Sequence, residues 1–471
     1  MIPLLCALLS GGLFAAALPP YDWEWIAWFA LAPLLVAAHG RRPLEAAGLG
    51  VVAGVTCGAL HAGWNQDTSR LMWAYIPFLW LTMLFVVTAT ASAAARKRWE
   101  GMRWVVLVAC LGVSGEWLTT LLPIPIHLAI SQYKQITLIQ IASLTGIWGV
   151  SLLLWLTNAA IADAVLRRSG RTKPLAIAAA SIAAAMAFGW WTLRAEKAGP
   201  SLRVAAIQDF SGDETGDLAP PPPPNVEIDR EKMTRAAAAQ GAKLIVWSEE
   251  CLGSGFNPDN PRDGTTALAR QTGAFLAVGY SDAHRPKPYN CAGLVSPEGK
   301  LLGAHHKVHL YLGESESVTV GGRPTSYASP LGRIGMEVCF DSCYTNITRA
   351  VAASGAQLIA MPNYDPPTPR GVLHDLHVAF LPFRAVENHV PFVRSDSNGH
   401  SQVVDAYGRM IGLSPLYAPD ILVRNVAMGD GGGTPFTRWG DWLAYLCLAG
   451  SAAFLIRSFS RKNSASQQIK S

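Results

Sequence analysis

Charge is what this 471-residue sequence has least of: 15% of it is Asp, Glu, Lys or Arg, against about 25% in ordinary soluble domains. So little charge excludes a chain that is water-facing throughout. Internal repeats are also missing, and with them a solenoid. No glycine-rich loop stands between a strand and a helix to cradle phosphate, which argues against nucleotide binding. The eight cysteines follow no framework spacing, so a disulfide scaffold is excluded as well.

What is abundant is apolar: half of the chain is hydrophobic, with room for two or three domains. Apolar runs fill the first two hundred residues and return near the C-terminus. Eight spans are expected, at 2–18, 23–39, 44–64, 71–95, 104–122, 137–163, 174–193 and 438–457, because a bilayer core takes about 20 apolar residues. The first run has no basic n-region and is read as a span rather than a signal peptide. Cys6, Cys57, Cys110 and Cys447 fall inside spans and are read as packing residues.

The net charge of +5 resolves into clusters between the spans: Arg41 and Arg42; Arg96, Lys97, Arg98 and Arg103; Arg167, Arg168, Arg171 and Lys173; Arg457, Arg461 and Lys462. Such clusters mark cytoplasmic loops, so the charge is topology and no nucleic-acid partner is expected. Seven crossings leave residue 195 outside. The expected organisation is a membrane domain of seven helices over 1–197, an extracytoplasmic domain over 198–437, and an eighth helix with a basic cytoplasmic tail over 438–471. Glu116 stands within the fifth span. An intramembrane carboxylate is a functional candidate, or else a residue that bonds neighbouring helices.

The insert reads as α/β. "SLRVAAIQ" (201–208), "AKLIVWSEE" (242–250), "AFLAVGY" (274–280), "RIGMEVCF" (333–340), "AQLIAMPNY" (356–364) and "VPFVRSDS" (390–397) are strand-like, with helical stretches such as 227–240 and 344–354 between several of them. Hairpin turns are expected at 296–303 and 405–412. "LAPPPPPN" (218–225) reads as an extended arm.

Three strand ends carry reactive groups: Glu249 closes "LIVWSEE", Lys307 follows a hairpin strand with Glu314 seven residues on, and Cys339 stands where "GMEVCFDSCY" turns into a helix. A carboxylate, an ammonium and a thiol make a coherent acyl-transfer set: proton acceptor, oxyanion stabiliser and nucleophile. Glu250 points to the opposite face if the strand continues. Cys343 could pair with Cys339, but a disulfide over four residues would fight the strand-to-helix turn. His305, His306 and His309 bring no fourth ligand with them, so neither a metal nor a cofactor is expected.

"LIVWSE", "HKVHLYLGE" and "GMEVCFD" resemble the Glu, Lys and Cys motifs of the nitrilase, or carbon–nitrogen hydrolase, superfamily. "LPPYDWEWIAWFALAPLL", "SGEWL" and "ISQYKQITLIQIASLTGIWGVSLLL" resemble the membrane half of the apolipoprotein N-acyltransferase family, and "NYDPP" and "VRSDSNGHSQVVDAYGRMIG" its later nitrilase motifs. The resemblance implies a multi-pass helical membrane domain carrying a nitrilase-like α-β-β-α sandwich, in the bacterial inner membrane with the catalytic part periplasmic. It implies no cofactor, a monomer, and two substrates: a phosphatidylethanolamine-like phospholipid donor and a diacylglyceryl apolipoprotein acceptor. The sn-1 acyl chain would pass through a Cys339 thioester to the amine of the acceptor's S-diacylglyceryl cysteine. Glu249 and Lys307 complete the implied triad, and Glu314, Phe340, Asp341, Asn363 and Glu116 would support it or the substrate. A tethered amidase or nitrilase with the same triad is the alternative.

The chain departs from the family's pattern in places. Ser248 replaces a proline, Phe340 and Asp341 replace Tyr and Glu, "NYDPP" replaces Asn-Asp-Ala-Trp-Phe, and 209–225 lacks the lid tryptophan.

Overall fold

The computed structural model describes residues 1–62, 68–122, 125–167, 170, 172–196, 199–210, 229–260, 262, 263–282, 285–311, 313–366 and 372–468. The proline-rich arm read at 218–225 lies outside the described residues. The chain divides into two compact units, one of residues 1–132, 147–188 and 441–471, the other of 133–146 and 189–440.

The first unit is helical. Four described helices are long and apolar enough to cross a membrane, Pro43–His61, Met102–Thr119, Ile147–Leu166 and Thr172–Arg194, residues 189–194 of the last being counted with the second unit, and shorter apolar helices include Ile2–Ala17, Leu81–Arg96 and Trp442–Phe454. Close approach relies on small residues: a Cβ on Gly112 would fall 2.1 Å from the Trp155 ring. Buried Asn158 accepts from the N–H groups of Leu31 (2.7 Å) and Ala32 (3.1 Å), closing the start of the helix Ala32–Ala38. Two expected spans are interrupted. Over 23–39 a 3-10 turn, Glu24–Trp28, precedes that short helix. Over 137–163 the turns Ile136–Ile139 and Ala142–Thr145 end at Gly146, whose φ of +67° breaks the helix before Ile147.

The second unit is a nitrilase-like α/β fold. Its strands are β1 Ser201–Gln208, β2 Leu244–Val246, β3 Phe275–Ser281, β4 Asn290–Val295, β5 Leu301–His306, β6 Ser326–Ser329, β7 Gly332–Met336, β8 Leu358–Asn363, β9 Phe392–Asp396, β10 Gln402–Val404, β11 Met410–Leu413 and β12 Asp420–Ala427. They form two six-stranded sheets, ordered β12-β1-β2-β3-β4-β5 and β11-β10-β9-β8-β7-β6. In each sheet three neighbours run parallel, β1–β2–β3 and β7–β8–β9.

Apolar alternation on the strands supplies the layers. Ala205, Ile207, Ile245, Leu276 and Val278 pack with Met233 and Ala237 of the helix Arg230–Ala239 and with Leu268 of the helix Gly264–Thr272. On the second sheet Ile359, Met361 and Phe392 pack with Val351 of the helix Thr345–Ala353 and with Leu381 and Ala385 of the helix Phe380–Asn388. The remaining faces meet, with Ser395 Oγ donating to the Ile207 carbonyl at 2.6 Å. Asp229 and Asp263 cap the two helices of the first layer by accepting backbone N–H groups. The parallel strands β2, β7 and β8 all end near one place, the usual position of chemistry in such sheets.

Candidate active site

Strand β2 stops at Val246, and three residues later Glu249 is turned into the protein, its N–H donating across to the Asn363 carbonyl at the end of β8 (3.2 Å). Glu250, the next residue, has a φ of +51°. The tightness of this turn depends on Gly279 of β3. A Cβ there would lie 2.3 Å from the Ser248 carbonyl oxygen, 2.6 Å from the Glu250 nitrogen and 2.7 Å from Glu249 Cα. These are backbone atoms that cannot swing aside, so Gly279→Ala has to displace Glu249. A shift of about 1 Å at a reacting group costs on the order of 10²-fold. That loss is expected in acyl-transfer assays of G279A, with extraction and elution of the protein close to wild type.

Lys307 follows β5 and is almost fully buried. Its Nζ donates to Glu249 Oε1 at 2.8 Å and reaches Glu314 Oε2 at 2.9 Å. Asn290, at the start of β4, donates from Nδ2 to Glu249 Oε1 (2.7 Å) and to Glu314 Oε1 (3.1 Å). Glu314 also accepts from the Tyr311 N–H at 2.8 Å, which fixes the loop after Lys307. Two carboxylates thus share one ammonium and one amide.

Cys339 stands beyond β7 with a φ of +47°, a left-handed conformation that a non-glycine residue holds only under constraint. It opens the 3-10 turn Cys339–Cys343. The thiol and Glu249 are close enough for each to shift the other's ionisation, and the sulfur lies 3.6 Å from the Tyr364 carbonyl oxygen. Asp341 supplies the constraint. One of its oxygens accepts from the N–H groups of Val308 (3.1 Å) and His309 (2.8 Å), and the other from Val338 N–H (3.3 Å) and His305 Nε2 (2.8 Å). It therefore ties the turn that carries Cys339 to the loop that follows Lys307.

Burial sets the ionisation of the group. It pushes Glu249 up to about 7 against the pull of the Lys307 charge, with Glu314 adding to the rise. Burial opposes the charge on Lys307, yet Glu249, Cys339 and Glu314 hold it well above the usual lysine range. Burial and Glu249 raise the Cys339 thiol, while Lys307 lowers it. The resting site is a thiol beside a carboxylate that is half-ionised near neutral pH, with a fixed ammonium between two acids. Such a carboxylate can take the thiol proton and return it, and the ammonium can face a developing oxyanion.

The remaining sequence candidates lie apart from the reacting atoms or around them. Phe340 is edge-on to Tyr311 (5.3 Å) and Tyr344 (5.5 Å), forming an aromatic wall beside the thiol. Asn363 donates from its side chain to Asp396 at 2.5 Å and meets Glu249 only through its backbone. Glu116 belongs to the helical unit. It accepts from Ser151 (2.5 Å), Trp155 (2.7 Å) and the Leu128 N–H (3.2 Å), fastening Met102–Thr119 to Ile147–Leu166.

Cys339 and Cys343 are both free thiols. The three histidines around Lys307 diverge: His305 to Asp341, His306 stacked on Tyr289 at 4.3 Å, His309 stacked on Tyr344 at 3.7 Å. Among the described residues two other donor groups are close enough to hold a metal, Asp282–Cys291–His306 and Cys339–Asp365–His377. In the second, Arg394 already donates to Asp365 at 2.5 Å, bringing a cation into the group.

Sequence reasoning passed over Asn290, Asp365, His377 and Arg394. Their signal is faint: single polar residues inside apolar strands, or in a short helix after a proline pair. Ser248, where the family has proline, donates to Asp209 at 3.0 Å, so that substitution is absorbed by a local partner.

Comparison with known proteins agrees with this geometry. The profile of the Carbon-nitrogen hydrolase family matches residues 226–436, and that of the Apolipoprotein N-acyltransferase N-terminal domain matches residues 10–160. An apolipoprotein N-acyltransferase of Geobacter metallireducens is 28% identical over 98% of this chain and 96% of its own length. One of Gloeobacter violaceus is 27% identical over 94% and 92%. A nitrilase of Pyrococcus abyssi is 30% identical, covering 39% of this chain and 73% of its own length. The nitrilase is matched over 39% of this chain, whereas the two acyltransferases are matched over 98% and 94% of it. The chain therefore belongs to the apolipoprotein N-acyltransferase family, a membrane-integrated branch of the carbon–nitrogen hydrolase superfamily.

Proposed function

We propose that this membrane acyltransferase moves the sn-1 acyl chain of a phosphatidylethanolamine-like phospholipid to the α-amine of S-diacylglyceryl cysteine at the start of an apolipoprotein. Glu249 takes the Cys339 proton as the sulfur attacks the ester carbonyl. The carbon–oxygen bond breaks, the proton passes to the departing glycerol oxygen, and the acyl chain remains as a thioester. In the second half the acceptor amine attacks the thioester, Glu249 takes its proton, and Cys339 leaves as the thiol. Lys307 faces the oxyanion in both halves, and Glu314 and Asn290 hold Lys307 and Glu249 in register.

What carries this reading is similarity over the membrane half as well as the soluble half. A tethered amidase needs no such helical portion, whereas a lipid donor and a lipidated acceptor do. Eight crossings, with residues 198–437 on the periplasmic side of the inner membrane and both basic ends in the cytoplasm, would bring the site to the leaflet that holds both substrates. The enzyme would act as a monomer without a cofactor.

The test uses purified protein in detergent, phosphatidylethanolamine tagged on the sn-1 chain and a synthetic S-diacylglyceryl-cysteinyl peptide. The tag should appear on Cys339 as a hydroxylamine-sensitive adduct and then move to the peptide's amine. Release of the tag only as free fatty acid would mark a lipid hydrolase. No adduct, with small amides cleaved instead, would leave the amidase. Because burial raises Glu249 to about 7 and the base acts ionised, adduct formation should fall about tenfold per unit of pH below that value. Glu249→Gln should abolish that limb along with most of the rate.

A further inference from the structure

The mechanism above uses the charges of Glu249, Lys307 and Glu314. A second set stands against the same thiol, built from the loop after β8, the helix Val372–Val378 and β9. Cys339 Sγ, an oxygen of Asp365 and a ring nitrogen of His377 lie within 4.8 Å of one another. His377 Nδ1 is 2.8 Å from Asp365 Oδ1, and its Nε2 is 3.1 Å from Ser342 Oγ. Ser342 Oγ donates to the Cys339 carbonyl oxygen at 3.0 Å. Arg394 Nη2 donates to Asp365 Oδ2 at 2.5 Å and to Asp396 Oδ2 at 2.9 Å.

Burial opposes the charge of Asp365, yet His377 and Arg394 hold it well below the usual carboxylate range. An ionised carboxylate can only accept, so Asp365 accepts from His377 Nδ1 and from Arg394 Nη2.

We propose that His377 is a positioning residue of the nucleophile: its bond to Asp365 holds and disperses the carboxylate charge that stands against the Cys339 thiolate. The Asp365 charge opposes that thiolate, and the ring nitrogen 2.8 Å from Oδ1 takes up part of it. The groups facing the ring are Asp365, Ser342, Cys339 and Arg394, whose Nη2 is 3.5 Å from Nδ1, with His374 one turn earlier on the same helix. The inference rests on Cys339 being the acyl-carrying nucleophile.

The experiment is the rate of Cys339 alkylation by iodoacetamide between pH 5 and 10, followed by peptide mass spectrometry in the full-length protein, with Cys339→Ala as background. His377→Asn should slow alkylation at least about tenfold at neutral pH and raise its midpoint by about one unit or more. Ser342→Ala, which removes the partner of Nε2 at little cost in volume, should shift it less in the same direction, and it carries the test if His377→Asn fails to fold. A midpoint unchanged or lowered in the folded variants overturns the proposal, since a purely structural histidine would move thermal stability alone. The tagged-phospholipid assay on the same samples separates the two readings. An adduct in wild type with an unshifted midpoint in the variants sinks the role of His377 and leaves the acyltransferase reading intact. A shifted midpoint with no adduct in wild type does the reverse.

Discussion

Cys339→Ala ends acyl transfer, with an expected loss on the order of 10⁴-fold or more, because no other group at the site can form the thioester. Cys343 is four residues away, but burial, Asp365 and Asp341 raise its thiol far above the usual range, and it stands at the far end of the 3-10 turn. It cannot substitute. Cys339→Ser should be nearly as inactive, since a serine hydroxyl beside a carboxylate raised to about 7 holds its proton far more tightly than a thiol does. The measurement is intact-protein mass after incubation with the tagged phospholipid: wild type gains one acyl chain and neither variant does. Both should bind phospholipid as wild type does. An acyl chain found on Cys339→Ala would move the nucleophile elsewhere and overturn the assignment. The left-handed backbone at Cys339 makes a further point. Alanine tolerates that conformation little better than cysteine, so the loss is chemical and the fold should survive.

The site was legible where chemistry interrupts hydrophobicity. Glu249, Lys307 and Cys339 stand where apolar strands stop, and a charged or nucleophilic residue there is turned toward the strand ends. Their meeting could not be read from spacing, since it depends on β2, β5 and β7 ending together across two sheets. Asp341 was legible as a neighbour of the nucleophile, but its bonds to His305 and to the N–H groups after Lys307 come from strand pairing that no local pattern shows. Asn290 was invisible. A lone asparagine before an apolar strand reads as a turn residue, and only the fold aims it at two carboxylates. His377 was hidden for a similar reason, its partners Asp365, Ser342 and Arg394 coming from three different elements. Hydropathy counts apolar residues and is blind to breaks. It marked 137–163 as one span because Gly146 is no more polar than its neighbours, although its conformation ends the helix.

Lys307→Met separates rate from stability at the same position. Methionine keeps the length and loses the charge, so the oxyanion loses its cation and the rate should fall by about 10²–10³. The fold suffers differently. Glu249 and Glu314 both bond to Nζ and to the one Asn290 amide. Without the ammonium two acids face each other in a buried space, and breaking such a cluster costs about 3–5 kcal/mol. One of them relieves this by staying protonated, so Glu249, already near 7 with Lys307 present, rises further, and the acid limb of the pH profile moves upward. A carboxyl group raised in the folded state favours folding at low pH, and that advantage is lost as pH climbs from the ordinary Glu range through the raised value. Lys307→Met should therefore be close to wild type in thermal unfolding near pH 4 and fall progressively behind it toward pH 8. Adding Glu314→Gln removes one of the opposed charges. The double variant should regain most of the stability at pH 8 and none of the rate. If both were regained, Lys307 would be a structural clamp, and the oxyanion would have to be held by another group.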